Sequence, residues 1–133
     1  HDDFVRALIS ATEHMPVGDG LDPATRIGPM VSERQADQVV AQVREALDDG
    51  ATLAWSGGTR RDNFVPPVVL TEVTHQMRIA RDETFGPVAC VFKVESEAEA
   101  VALEDLAQLA VNQANPLPPS STTSATHSNQ TAF

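Results

Sequence analysis

The chain has no tyrosine, one tryptophan, one cysteine, and only nine Lys or Arg against nineteen Asp or Glu. With aromatics at 5%, any core has to be built from Val, Ala and Leu. The formal charge of −10 argues against nucleic acid or an anionic membrane as main partner, because phosphates are held by clustered cations. The lone Cys90 excludes an internal disulfide and a multi-thiolate metal site, and it suits a reducing compartment, so a cytoplasmic location is expected. No apolar run approaches the ~18 residues that a membrane span needs. The opening His1-Asp2-Asp3 has neither Met nor a basic, apolar leader and begins mid-element, which suggests a piece of a longer protein. What is present is enough for one domain: 133 residues, 41% of them apolar.

Three helices are readable from their period. Residues 3–15 repeat Phe4, Leu8, Ala11 and Met15 at helical spacing, with Asp3 as a cap. Ser32 with Gln35 forms a capping box ahead of the stripe Ala36, Val39, Val40, Val43, Ala46 and Leu47, and Gly50 ends that helix. Ser96 with Glu99 repeats the box, and Ala98 to Ala110 continue a third helix. Between the first two lies a turn-rich stretch holding Gly18, Gly20, Pro23, Gly28 and Pro29. Ala51 to Trp55 reads as a strand. A second strand should begin at Val68, because Pro66 and Pro67 cannot donate ladder bonds. Met77 to Ala80 reads as a short extended piece, and the nearly continuous apolar run Val88 to Val94 as a strand covered on both faces. Strands alternating with helices predict an α/β layered domain with a mainly parallel sheet. That domain is expected over residues 1–110. Residues 111–133 form a Ser/Thr/Pro-rich tail that is expected to be disordered, since so little apolar surface cannot offset ordering entropy.

Most general chemical signatures are missing. His1, His14, His75 and His127 are scattered singly, so no metal site is expected. Gly18 and Gly20 make a G-x-G, but Pro23 stands where a third glycine is needed, so a turn is the better reading. No G-x-S-x-G elbow occurs. Cys90 is the obvious nucleophile, yet it lies inside Val88-Ala89-Cys90-Val91-Phe92 with no neighbouring His, and it reads as core packing. More interesting is Arg81-Asp82-Glu83-Thr84-Phe85-Gly86-Pro87, a loop leading into a strand. Glu83 offers two acceptor oxygens suited to paired ribose hydroxyls, and Phe85 can pack beside a flat heterocycle. Equally, Glu83 can be a loop carboxylate neutralised by Arg78 or Arg81, with Phe85 filling core.

An ordered series of motifs resembles the aldehyde dehydrogenase family, specifically the later part of its catalytic domain. The series runs from Met15 to Pro23, through Arg26-Ile27-Gly28-Pro29 with Ser32 and Gln35, to Asp49-Gly50-Ala51 and Gly57-Gly58. It continues with Phe64-Val65, Pro67, Val69-Leu70-Thr71, Met77 to Ala80, and Glu83-Thr84-Phe85-Gly86-Pro87-Val88. The resemblance covers about residues 4–103; beyond Leu103, Glu104-Asp105-Leu106-Ala107 departs from the family's pattern. It implies oxidation of an aldehyde to the carboxylic acid with NAD or NADP, through a cysteine thiohemiacetal and a thioester. It implies that Glu83 hydrogen-bonds the nicotinamide ribose, that Phe85 lies beside the nicotinamide, and that Gln35 is near the cofactor's ribose. Gln38 stands where some relatives carry a basic residue. No catalytic residue is expected here: the nucleophilic cysteine and general-base glutamate should fall upstream of His1, leaving this chain alone inactive. The Glu83-Thr84-Phe85-Gly86 variant is most similar to the semialdehyde-oxidising branch, such as succinate-semialdehyde dehydrogenases. The implied parent is a homo-oligomer acting on a small aldehyde. The alternative is a non-catalytic, dehydrogenase-like interaction module.

Overall fold

A computed structural model describes residues 1–103. The expected tail, and the third helix past Leu103, lie outside the described residues.

Helix α1 (Asp2–Glu13) carries Asp2 and Asp3 in its first turn, where the unsatisfied N–H groups favour negative charge. It starts one residue earlier than expected, after His1, so Asp3 lies inside the helix and does not cap it; its carboxylate pairs with Arg6 one turn on. Helix α2 (Glu33–Asp48) matches the sequence reading closely. The Gln35 backbone N–H donates to Ser32 Oγ at 3.2 Å, and Ala36, Val39 and Ala46 are buried. At its end the Gly50 N–H donates to Leu47 O at 3.2 Å and the Ala51 N–H to Ala46 O at 2.9 Å, a Schellman cap. Gly50 adopts a φ of 106°, which a residue with a Cβ rarely takes.

Three strands follow: β1 (Thr52–Ser56), β2 (Val68–Thr71) and β3 (Val88–Cys90), in the order β1-β2-β3. The α/β layering is as expected, but the sheet is mixed. Strand β1 pairs antiparallel with β2, Leu53 opposite Leu70, with an irregularity between Leu53 and Trp55. The β2–β3 pair is parallel, Val68 beside Val88 and Leu70 beside Cys90. Connection geometry decides this: residues 57–67 return as a loop, whereas parallel neighbours need a crossover. That crossover holds helix α3 (Arg78–Arg81), which replaces the extended piece expected at Met77 to Ala80. The Met77 and Ile79 alternation mimics a strand, yet both residues are buried from a single helical turn. The last strand is shorter than the Val88 to Val94 run, and its residues are half-buried, because among the described residues β3 is an edge of the sheet.

The core has two parts. Ala46, Ala51, Val68, Leu70, Val73, Met77 and Ile79 pack as one cluster, and Ala36, Val39 and Val65 as another. Val88 packs against both. Residues 57–64 are tied to α2 by Arg60, which pairs with Asp37. Asn63 and Met30 exchange bonds: Asn63 Nδ2 donates to Met30 O at 2.9 Å, and the Met30 N–H to Asn63 O at 2.7 Å. Among the described residues no helix is long and apolar enough to cross a membrane.

Candidate functional site

The polar cleft of the molecule lies between α2 and the segment entering β3. Gln35, Gln38, Val39, Ala41 and Gln42 come from α2, Arg78 and Asp82 from α3 and its end, and Glu83 and Phe85 from the loop; the volume is about 370 Å³. Gln35, Gln38 and Gln42 follow i, i+3, i+7 spacing, so one face of α2 presents three carboxamides. Gln42 was missed in the sequence, although that spacing gives it away once Gln35 and Gln38 are fixed.

The loop is bent tightly. The Gly86 N–H donates to Thr84 O at 2.9 Å, and the Val88 N–H to Gly86 O at 2.8 Å, two successive three-residue turns. Phe85 occupies the centre of the first turn and its side chain projects outward, leaving the residue 62% exposed. Glu83, just before this turn, and Phe85, at its centre, line the same cleft. Gly86 is where the loop comes closest to α2. A Cβ there would lie 2.7 and 2.9 Å from the two Val39 methyl carbons, so only glycine fits without a shift. Above that contact, Gln35 Nε2 donates to the Phe85 carbonyl at 3.3 Å. The Ser32 half of the capping box forms, and the Gln35 side chain donates to the loop.

Electrostatics distinguish the two acids at the cleft. Asp82 is neutralised: Arg78 Nε donates to it at 2.7 Å, and Arg78 Nη1 also reaches Glu45 Oε2 at 3.3 Å. Those two carboxylates, Asp82 first, raise the guanidinium's affinity for its proton. Glu83 is exposed and, among the described residues, pairs with neither Arg78 nor Arg81. The picture of a salt-bridged Glu83 over a core-packed Phe85 is thus not the one observed. Thr84, between Glu83 and Phe85, has a buried hydroxyl that finds no hydrogen-bond partner among the described residues.

Cys90 belongs to a different place. It lines an apolar cavity of about 740 Å³ with Phe4 and Leu8 of α1, His75, and Val91 to Val94. Burial pushes its thiol pKa up, which disfavours the thiolate a nucleophile needs. Among the described residues no group of three or more His, Cys, Asp or Glu could hold a metal ion.

Comparison with known proteins agrees with the motif series. The chain is 47% identical over 106 residues to the NADP(+) succinate-semialdehyde dehydrogenase of Deinococcus radiodurans, a match taking in 77% of this chain and 22% of that enzyme. Its structure superposes on an NAD-dependent benzaldehyde dehydrogenase from Corynebacterium glutamicum with a TM-score of 0.74 at 34% identity, covering 77% of this chain and 22% of that one. A Mycobacterium tuberculosis aldehyde dehydrogenase complexed with NAD+ superposes with a TM-score of 0.72, again at 34% identity, 77% coverage here and 22% there. The chain thus spans about a fifth of the length of the proteins it matches. The model of the aldehyde dehydrogenase family fits residues 1–113, so its pattern persists past Leu103, where the motif resemblance stops. A match over that much of the sequence makes this chain a member of the aldehyde dehydrogenase family.

Proposed function

We propose that these residues form the part of an NAD(P)-dependent aldehyde dehydrogenase that grips the nicotinamide riboside of its cofactor. The carrying observation is convergence: Gln35 and Phe85, 50 positions apart, are joined by a hydrogen bond beside Glu83 at one cleft. An unpaired carboxylate, carboxamides and an exposed benzyl ring suit a sugar diol next to a flat heterocycle. In this reading Glu83 accepts from the two ribose hydroxyls and Phe85 packs on the nicotinamide's flank. Gln35 contacts the ribose, and Gln38 adds a neutral amide where a cation would otherwise meet phosphate. When bound, the cofactor supplies the hydride acceptor for oxidation of the aldehyde to the acid. The residues here fix its sugar and ring.

The Glu83-Thr84-Phe85-Gly86 segment, together with 47% identity to a succinate-semialdehyde dehydrogenase, favours a semialdehyde as substrate. The free cysteine suits a cytoplasmic enzyme. No residue here is assigned as nucleophile, because Cys90 lines the other cavity. The 133-residue chain with NAD, NADP and short aldehydes is therefore expected to give no turnover, and NADH formation would overturn that assignment. The cofactor role is tested by titrating the chain with NAD+ and following the Glu83 and Phe85 resonances. Glu83→Gln should weaken binding by about 10-fold or more, the worth of a charged hydrogen bond. Binding unchanged by that substitution removes Glu83 from the cofactor contact.

A further inference from the structure

From the sequence, Gln35 is expected both in the capping box with Ser32 and as a contact to the cofactor's ribose, but its geometry gives it a further task. The Phe85 carbonyl can only accept, so the end of the Gln35 amide facing it at 3.3 Å has to be the NH₂ group. That bond takes one of the two amide N–H groups and leaves Oε1, an acceptor, open to a ligand. The bond also falls where the loop has least freedom. One residue on, Gly86 rests against the Val39 methyls, and its N–H closes the turn onto Thr84. Backbone contact at Gly86 sets the height of the loop over α2, and the Gln35 bond sets its tilt by fixing the Phe85 peptide. Phe85 is 62% exposed and belongs to neither apolar cluster, so core packing does little to fix its direction.

We infer that Gln35 is a positioning residue: one N–H of its amide clasps the Phe85 peptide to α2, while its carbonyl oxygen stays open to accept from a ribose hydroxyl. The second half rests on the nucleotide reading proposed above; the first does not. Two substitutions separate the ends. Gln35→Glu keeps acceptor oxygens and loses the donor, whereas Gln35→Lys keeps a donor and loses the acceptor.

The test is amide hydrogen exchange and the Phe85 ¹³C′ shift in the 133-residue chain, first without nucleotide. In Gln35→Glu, exchange at Gly86 and Val88 should rise about fivefold, the net worth of one neutral hydrogen bond, and the Phe85 carbonyl resonance should move. Ala46, at the far end of α2, should keep its rate. Gln35→Lys should retain the parent rates and carbonyl shift. Should Gln35→Glu disturb the whole fold, Gln35→Met, of similar length but with neither polar end, is expected to give the same local acceleration. Parent rates at Gly86 and Val88 in both donor-lacking variants would overturn the clasp. Addition of NAD+ then tests the other half: Gln35→Lys, with an ordered loop, should lose the nucleotide-induced shift at Glu83. If NAD+ moves nothing even in the parent chain, the nucleotide reading fails while a clasp seen in the first measurement stands.

Discussion

Two cavities among the described residues differ in what their walls can do. The cleft between α2 and the Phe85 loop is the smaller, at about 370 Å³, and is walled by amides, carboxylates and a guanidinium. The cavity between α1 and the segment after β3 has about 740 Å³ and is walled mostly by Phe, Leu, Val and Ala. Each holds the residue a search for chemistry would pick first, Glu83 in one and Cys90 in the other. Glu83 is exposed and, among the described residues, without an ion-pair partner, while burial of Cys90 favours its neutral form. A reactive residue type is not enough; its neighbours decide whether the reactive form is populated.

That contrast can be broken most severely at the floor of the small cleft. Gly86→Ala forces a methyl group to within 3 Å of both Val39 methyl carbons and should destabilise the chain by about 2 kcal/mol in urea unfolding. Trimming Val39 to Ala in the same chain should recover part of the loss, and no recovery would mean that the approach of loop to helix is not the cause. A smaller effect of opposite sign is expected next door. Thr84→Val removes a buried hydroxyl without a partner among the described residues, so stability should rise by about 1 kcal/mol, and a loss of that size would show that the hydroxyl has a partner. The smallest effect sharpens the contrast from the other cavity. Cys90→Ala should leave an NAD+ titration unchanged within about twofold, since a shift of that size lies below a single hydrogen bond. The folded thiol should also react with iodoacetamide more slowly at pH 8 than in the urea-unfolded chain. A raised pKa means less thiolate at that pH, and the deficit should close as pH climbs above the ordinary thiol range. Faster labelling of the folded chain would reverse the assignment of the two cavities.

The sequence reveals most where interactions are local. Helix α2 is legible throughout because Ser32, the 3.6-residue stripe and Gly50 are all within a few residues of what they bond or cover. The start of β2 is legible because two prolines forbid anything earlier. Strand direction is not, since β1 and β2 have the same composition whichever way they run, and the loop over residues 57–67 decides. The turn at α3 is hidden by Met77 and Ile79, whose spacing fits a strand as well as a helix this short. At the cleft, Glu83 and Phe85 stand out through a contiguous motif. The Gln35–Phe85 bond has no local signature at all, because nothing near either residue announces a partner 50 positions away.

One side chain connects the sheet to the cleft. Val88 is the residue shared by both apolar clusters, and it follows Gly86 by only two positions. Its bulk therefore acts as a shim under the loop: a methyl group added or shaved there is expected to tip the Phe85 turn without altering any side chain that lines the cleft. Anyone wishing to retune the grip of this cleft can work from beneath it, at position 88, and leave every cleft-lining side chain as it is.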